Sequence, residues 1–177
     1  MHETMSRLYR DHVHFNKLMG ILEGQLEQMK VTDQPPSVLL KELIEYTREY
    51  ADGIHHPIED HLYQIVLART DEGRESMEQL LGHHQIIMDM TRKFRNALDS
   101  GSPSRETIEK MGRDYLEHQR SHMQFEEEKA FPLLQETLGG DDFKYATGAV
   151  PADQDPLLDP NMQEKYPALF DYMKKQP

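Results

Sequence analysis

Four long stretches of the chain carry apolar residues at alternating steps of three and four. In the first, Met5, Leu8, His12, Phe15, Met19, Leu22, Leu26 and Met29 do so; in the third, Met77, Leu80, His84, Ile87, Thr91, Phe94 and Leu98. This spacing sets one face of a helix against a core. At about 100° per residue, Leu40, Ile44, Thr47, Ala51, Ile54, Ile58, Leu62 and Ile65 share one arc of the second stretch. Ile108, Met111, Tyr115, Ala130 and Leu133 share one arc of the fourth. No stretch alternates with the period of two that a strand requires. Clusters of turn-forming residues separate the stretches: Thr32-Asp33-Gln34-Pro35-Pro36, Thr70-Asp71-Glu72-Gly73, Ser100-Gly101-Ser102-Pro103-Ser104 and Gly139-Gly140-Asp141-Asp142. The pattern predicts helices over roughly residues 3–30, 37–69, 74–99 and 105–138. Long helices with short connections predict an all-α, up-down-up-down four-helix bundle.

The bundle is expected to occupy residues 1–138, and residues 139–177 to form an extension packed on it rather than a second domain. That tail carries Pro151, Pro156, Pro160, Pro167 and Pro177 among a few apolar residues. Asp155-Pro156-Leu157-Leu158 reads as a turn, and residues 162–174 as a short helix interrupted early by Pro167.

The polar residues on the apolar faces change the picture. His12 and His84 each sit in the middle of an apolar stripe. His55 and Glu59 fall on or beside the inner arc of the second helix. His122 and Glu126 lie at the centre of the fourth helix's arc, with His118 nearer its edge. Both His-x-x-x-Glu pairs are four residues apart, so each pair shares one helix face. By the same angles His56 and Asp60 fall outside the second arc, and Glu127 and Glu128 rotate outward from the fourth. A single histidine on an apolar stripe is usually packing, and a single His-x-x-x-Glu pair is common on helix surfaces. Here a stripe histidine followed by an inward pair occurs twice, in the same order.

Two carboxylates among apolar residues are costly to bury unless something compensates them. No Lys or Arg occupies a matching seam position on the first or third helix. Metal ions satisfy the set, and imidazole with carboxylate suits iron, manganese or zinc. Two glutamates and four or five histidines leave a position open on a pair of six-coordinate metals, the arrangement for holding a small molecule at a non-haem di-iron centre.

Composition narrows the alternatives. The 177 residues suit one domain, and the formal net charge is −12. Such acidity argues against binding nucleic acid, which needs a basic face, and against docking on an anionic membrane. The absence of cysteine excludes disulfides, zinc knuckles, iron–sulfur clusters and thiol catalysis. No run approaches the roughly 18 apolar residues of a membrane span. The start, Met1 to Phe15, has no apolar signal core. The expectation is a soluble, cytoplasmic protein.

Asp11-His12, His55-His56-Pro57-Ile58-Glu59-Asp60, His84, and His122 to Pro132 with Glu126-Glu127-Glu128 together resemble the hemerythrin-like HHE proteins over roughly residues 3–138. The resemblance implies a four-helix bundle around two iron ions bridged by carboxylates, with other divalent metals possible. The implied metal ligands are His12, His55, Glu59, His84, His122 and Glu126. The oxygen carriers of the family have a further histidine one turn after the helix-three ligand; here that residue is Met88. They end in His-x-x-x-x-Asp, where this chain has His122-x-x-x-Glu126. His118, one turn before His122, is the best candidate for a fifth histidine, and His61 is expected to be structural. The family implies binding of O2 or another small diatomic for sensing, storage or stress response. The alternatives are a di-iron redox enzyme that reduces peroxide, O2 or NO, with Tyr115 or Tyr50 donating a proton, and a metal-stabilised interaction module. Nothing in the sequence names a protein partner.

Overall fold

The computed structural model describes residues 1–32, 34–149 and 162–175. In chain order the helices are α1 (Glu3–Thr32), α2 (Val38–Tyr50), α3 (His56–Arg69), α4 (Arg74–Ser100), α5 (Arg105–Phe125), α6 (Phe131–Thr137), α7 (Gly140–Gly148), α8 (Met162–Lys165) and α9 (Pro167–Lys174). Helices α1, α2–α3, α4 and α5–α6 form the four arms of a bundle. α1 packs on α5 and α2, while α4 packs on α5, α2 and α3. No strand occurs among the described residues. No helix among them is long and apolar enough to cross a membrane.

The arms form where local chemistry permits. Ser37 caps α2 by accepting the Leu40 N–H at 3.1 Å, and Ser104 caps α5 by accepting the Thr107 N–H at 3.2 Å. Gly101 ends α4 at φ +60°, a left-handed conformation that favours glycine. Every residue of the predicted stripes on α1 and α4 is buried. Each large apolar side chain removed from water contributes about 1.5–3 kcal/mol, and this continuous seam holds the arms together.

The second and fourth arms differ from the expected single helices. Each is interrupted by one π-helical turn, Ala51–His55 and Glu126–Ala130. The tail differs too. It contains α7, whose short apolar pattern of Phe143 and Ala146 gave no periodic signal. α7 packs on α3, where Arg69 grips Asp142 with both guanidinium nitrogens. The helix expected over 162–174 breaks at Tyr166, and Pro167 opens α9. α9 packs on α2, burying Leu169, whose N–H donates to Glu42 Oε2 at 2.9 Å. The turn expected at Asp155–Leu158 lies outside the described residues.

Candidate metal centre

The two π turns set the register of the centre. His56 N–H donates to the Ala51 carbonyl, and Phe131 N–H to that of Glu126, each five residues back. A proline follows each turn, Pro57 and Pro132. A proline has no N–H to give, and its ring crowds the carbonyl four residues back, so a wider turn before it relieves both problems. The extra residue in Ala51–His55 shifts the helical phase by about one residue, or 100°. Two neighbours can then face inward: His55 continues the face of α2, and His56 opens the face of α3. The expectation that His56 lies outside the inner arc is therefore overturned; it is 2% exposed. On α3 it shares a stripe with Glu59 and Tyr63, at steps of three and four, all buried.

Five histidines and two glutamates meet in the core. His12, His55 and Glu59 offer ligand atoms within 4.8 Å of one another, and so do His56, Glu59, His84 and His122. Glu59 belongs to both groups. Its Oε1 lies 3.1 Å from His55 Nε2 and its Oε2 3.5 Å from His84 Nε2. Glu126 also spans the groups, with Oε2 at 3.3 Å from His12 Nε2 and 3.2 Å from His122 Nε2, and Oε1 at 3.2 Å from His84 Nε2. Both carboxylates thus stand between a pair of imidazoles and a trio. Phe15 and Phe131 wall the pair, with ring centroids 4.9 Å from His55 and His12.

Acids behind the rings aim them. His55 Nδ1 donates to Asp11 Oδ2 at 3.1 Å, and Tyr50 Oη donates to the same oxygen at 3.0 Å. His84 Nδ1 donates to Asp60 at 2.6 Å and His12 Nδ1 to Glu127 at 2.9 Å. His56 Nδ1 lies 3.3 Å from Asp52. His55, His84 and His12 are thereby turned with Nε2 toward the glutamates, the posture that metal-ligating histidines adopt. Asp60 and Glu127 were expected to point outward. Each instead reaches across to the histidine of a neighbouring arm.

The set fits metal cations. Both oxygens of Glu59 and Oε2 of Glu126 are buried without a hydrogen-bond donor. Buried carboxylates in that condition are compensated by a cation. Without one, protons do the work. Burial, then the charge of Glu126, pushes the Glu59 carboxyl well above its ordinary range. Burial acts upward on Glu126 as well, but the imidazoles of His122, His12 and His84 hold it well below. Burial would lower His84, yet its hydrogen bonds to Asp60 and Glu126 carry it up to about 10. His12 is raised in the same way by Glu126 against its own burial. Burial, with the neighbouring charge of His84, takes His56 down to about 4, and burial lowers His122. A metal bound here displaces protons from its ligands.

Six of the seven residues expected as ligands converge: His12, His55, Glu59, His84, His122 and Glu126. His118 does not join them. It is exposed, and its Nδ1 donates to the Asp114 carbonyl at 2.8 Å. Sequence reasoning missed His56 as a member of the cluster and Tyr63 beside it. Tyr63 Oη donates to Glu126 Oε1 at 2.7 Å, and burial, then the Glu126 charge, raises the phenol well above its ordinary value. Tyr50 acts one step back, through Asp11. Tyr115 bonds Gln119 at 2.8 Å and Thr91 at 3.4 Å. His61 lies outside the cluster, its ring against Tyr145.

A family model described as the Hemerythrin HHE cation binding domain matches residues 4–134. No curated protein and no solved structure matches the chain.

Proposed function

The chain belongs to the hemerythrin HHE cation-binding family, and from that premise we propose that it is a non-haem di-iron protein that binds O2 or a related diatomic. The carrying observation is the uneven division of ligands: two imidazoles, His12 and His55, on one side of the shared glutamates and three, His56, His84 and His122, on the other. Iron ions bound there would supply redox chemistry and an open coordination position on the side with fewer ligands. The residues of the chain do the rest. Phe15 and Phe131 exclude water on that side. Asp11, Asp60 and Glu127 hold the imidazoles. Tyr63 keeps a proton at Glu126 Oε1, within the buried core.

The test is anaerobic loading of metal-free protein with Fe(II), followed by air. The expected result is about two irons per chain, as the two ligand groups imply, and a new near-ultraviolet absorption on exposure. Absence of both sinks the proposal. A redox enzyme that reduces peroxide, O2 or NO is the second reading, and Tyr63 favours it, because a buried phenol beside a ligand can deliver a proton. Sustained turnover with a reductant, lost in Tyr63→Phe, would select it.

A further inference from the structure

A cavity of about 200 Å³ opens between α4 and α5, lined by His83, Ile87, Glu117, His118, Ser121 and His122. It meets the buried centre at one side chain. His122 presents Nε2 to Glu126 and to His84 Nε2, at 3.2 and 3.1 Å, while the ring also borders the cavity. His122 is 2% exposed, and its Nδ1 is buried with no hydrogen-bond partner. Of the five inner imidazoles it alone has no acid behind Nδ1 among the described residues. Its Nδ1 is thus held by no acid, on a ring that also borders the cavity.

His118 stands at the outer end. Because its Nδ1–H is given to the Asp114 carbonyl, the lone pair of the neutral ring is on Nε2. A backbone carbonyl fixing the tautomer in this way is a posture of metal-ligating histidines. Glu117 adds a carboxylate. His83 adds a second imidazole, its Nε2 engaged at 3.4 Å with Gln79 and its ring centroid 6.0 Å from that of His122.

We propose that His118, with His83 and Glu117, captures an incoming divalent cation at the mouth of this cavity and passes it to His122, the ligand through which the buried centre is loaded. The proposal rests on the reading that the buried cluster holds metal. Charge and chemistry select a cation: the chain carries a net −12, and two imidazoles with a carboxylate form a donor set for a divalent transition metal. The outer donors are not drawn together as the buried ones are, since among the described residues close grouping occurs only in the two buried sets. A relay needs this difference. The outer site must hold the ion more weakly than the inner one, or the ion would stop there. The transfer is an exchange of one imidazole for another with no change in oxidation state.

The test is stopped-flow uptake of Co(II), followed by its visible absorption, on the metal-free full chain. Three variants are compared with wild type: His118→Ala, the double variant His83→Ala/His118→Ala, and Ser121→Trp, which places an indole in the cavity without removing a donor. His61→Ala, on α3 and away from the cavity, is the control. With metal scarce, the first three are expected to load about tenfold more slowly, the low end of what a charged cleft adds to a cation's on-rate. Their final metal content should equal that of wild type and the control. Wild-type loading rates in the double variant and in Ser121→Trp overturn the proposal. A lower final metal content in His118→Ala also overturns it, by making His118 a resident ligand. A wild-type chain that takes up no metal fails earlier, at the reading of the buried centre.

Discussion

At the scale of single residues, the centre is organised by the acids behind its histidines. Asp60 follows Glu59 and Glu127 follows Glu126, yet neither serves the ring on its own arm. Asp60 on α3 aims His84 of α4, and Glu127 in the π turn after α5 aims His12 of α1. Each couples the orientation of a ligand to the packing of two arms. The contacts are unequal. The Asp60 contact is 2.6 Å, with the acid half-buried, while Glu127 is 42% exposed and its pull is screened by solvent. Asp60→Asn is therefore expected to weaken metal affinity by about 10–100-fold, and Glu127→Gln by less. Neither should change the metal bound at saturation, because no ligand is removed. Competition against a chelator of known affinity measures both effects. A larger loss in Glu127→Gln, or a missing metal at saturation in either variant, would show that the acids do not act by aiming the rings.

At the scale of elements, the π turn of Ala51–His55 decides which histidines enter the core. If the helix kept 3.6 residues per turn throughout, only one of His55 and His56 could face inward, and His56→Ala would leave metal content unchanged. With the π turn both face inward. Metal per chain is expected to fall in His55→Ala and in His56→Ala alike, and to hold in His118→Ala. Metal analysis of the purified variants reads this directly; wild-type content in His56→Ala would mean that the α3 phase is wrong. The same turn explains what the sequence could and could not disclose. The stripes of α1 and α4 were legible because those helices run unbroken, so one period carries from end to end. Six members of the cluster lay on such stripes or on the i, i+4 pairs. His56 and Tyr63 were hidden because an angular count begun in α2 ignores the added residue. Pro57 was the local sign of it, since a helix interior without a donor must adjust nearby. Asp60 and Glu127 were misplaced for a different reason: side chains near the edge of an arc reach back across an interhelical groove, which angle alone does not capture.

At the scale of the whole molecule, the extension and the core respond to different forces. The extension is held on α2 at Glu49, which accepts from Tyr166 and pairs with Lys165. Burial acts to raise the Glu49 carboxyl, but the hydrogen bonds from Lys165 and Tyr166 outweigh it and lower it from 4.5. A carboxyl lowered in the folded state contributes stability above its unfolded value and loses it as pH falls through the folded one. α9 should thus loosen as pH falls below about 4.5, read as a lower protection factor at the Leu169 amide once the intrinsic pH dependence of exchange is divided out, and Glu49→Gln should bring the same loosening to neutral pH. Equal protection factors at pH 7 and well below pH 4.5 would place the anchor elsewhere. In the core the conflict is between folding and binding. Glu59 and Glu126 are fully buried, and three of their oxygens have no donor. Without metal they destabilise the bundle, whereas well-packed apolar replacements of a buried ionic set are neutral or stabilising by about 1–4 kcal/mol. Metal reverses the balance, because a site filled at a hundredfold excess over its dissociation constant adds about 2.7 kcal/mol. The double variant Glu59→Leu/Glu126→Leu is therefore expected to melt above the metal-free wild type and below the metal-loaded one, and to ignore a chelator that lowers the wild-type midpoint. Thermal unfolding with and without chelator gives all four midpoints. A double variant less stable than the metal-free wild type would mean that the protonated carboxyl and its imidazole partners already stabilise the core, with metal added to a fold that does not need it.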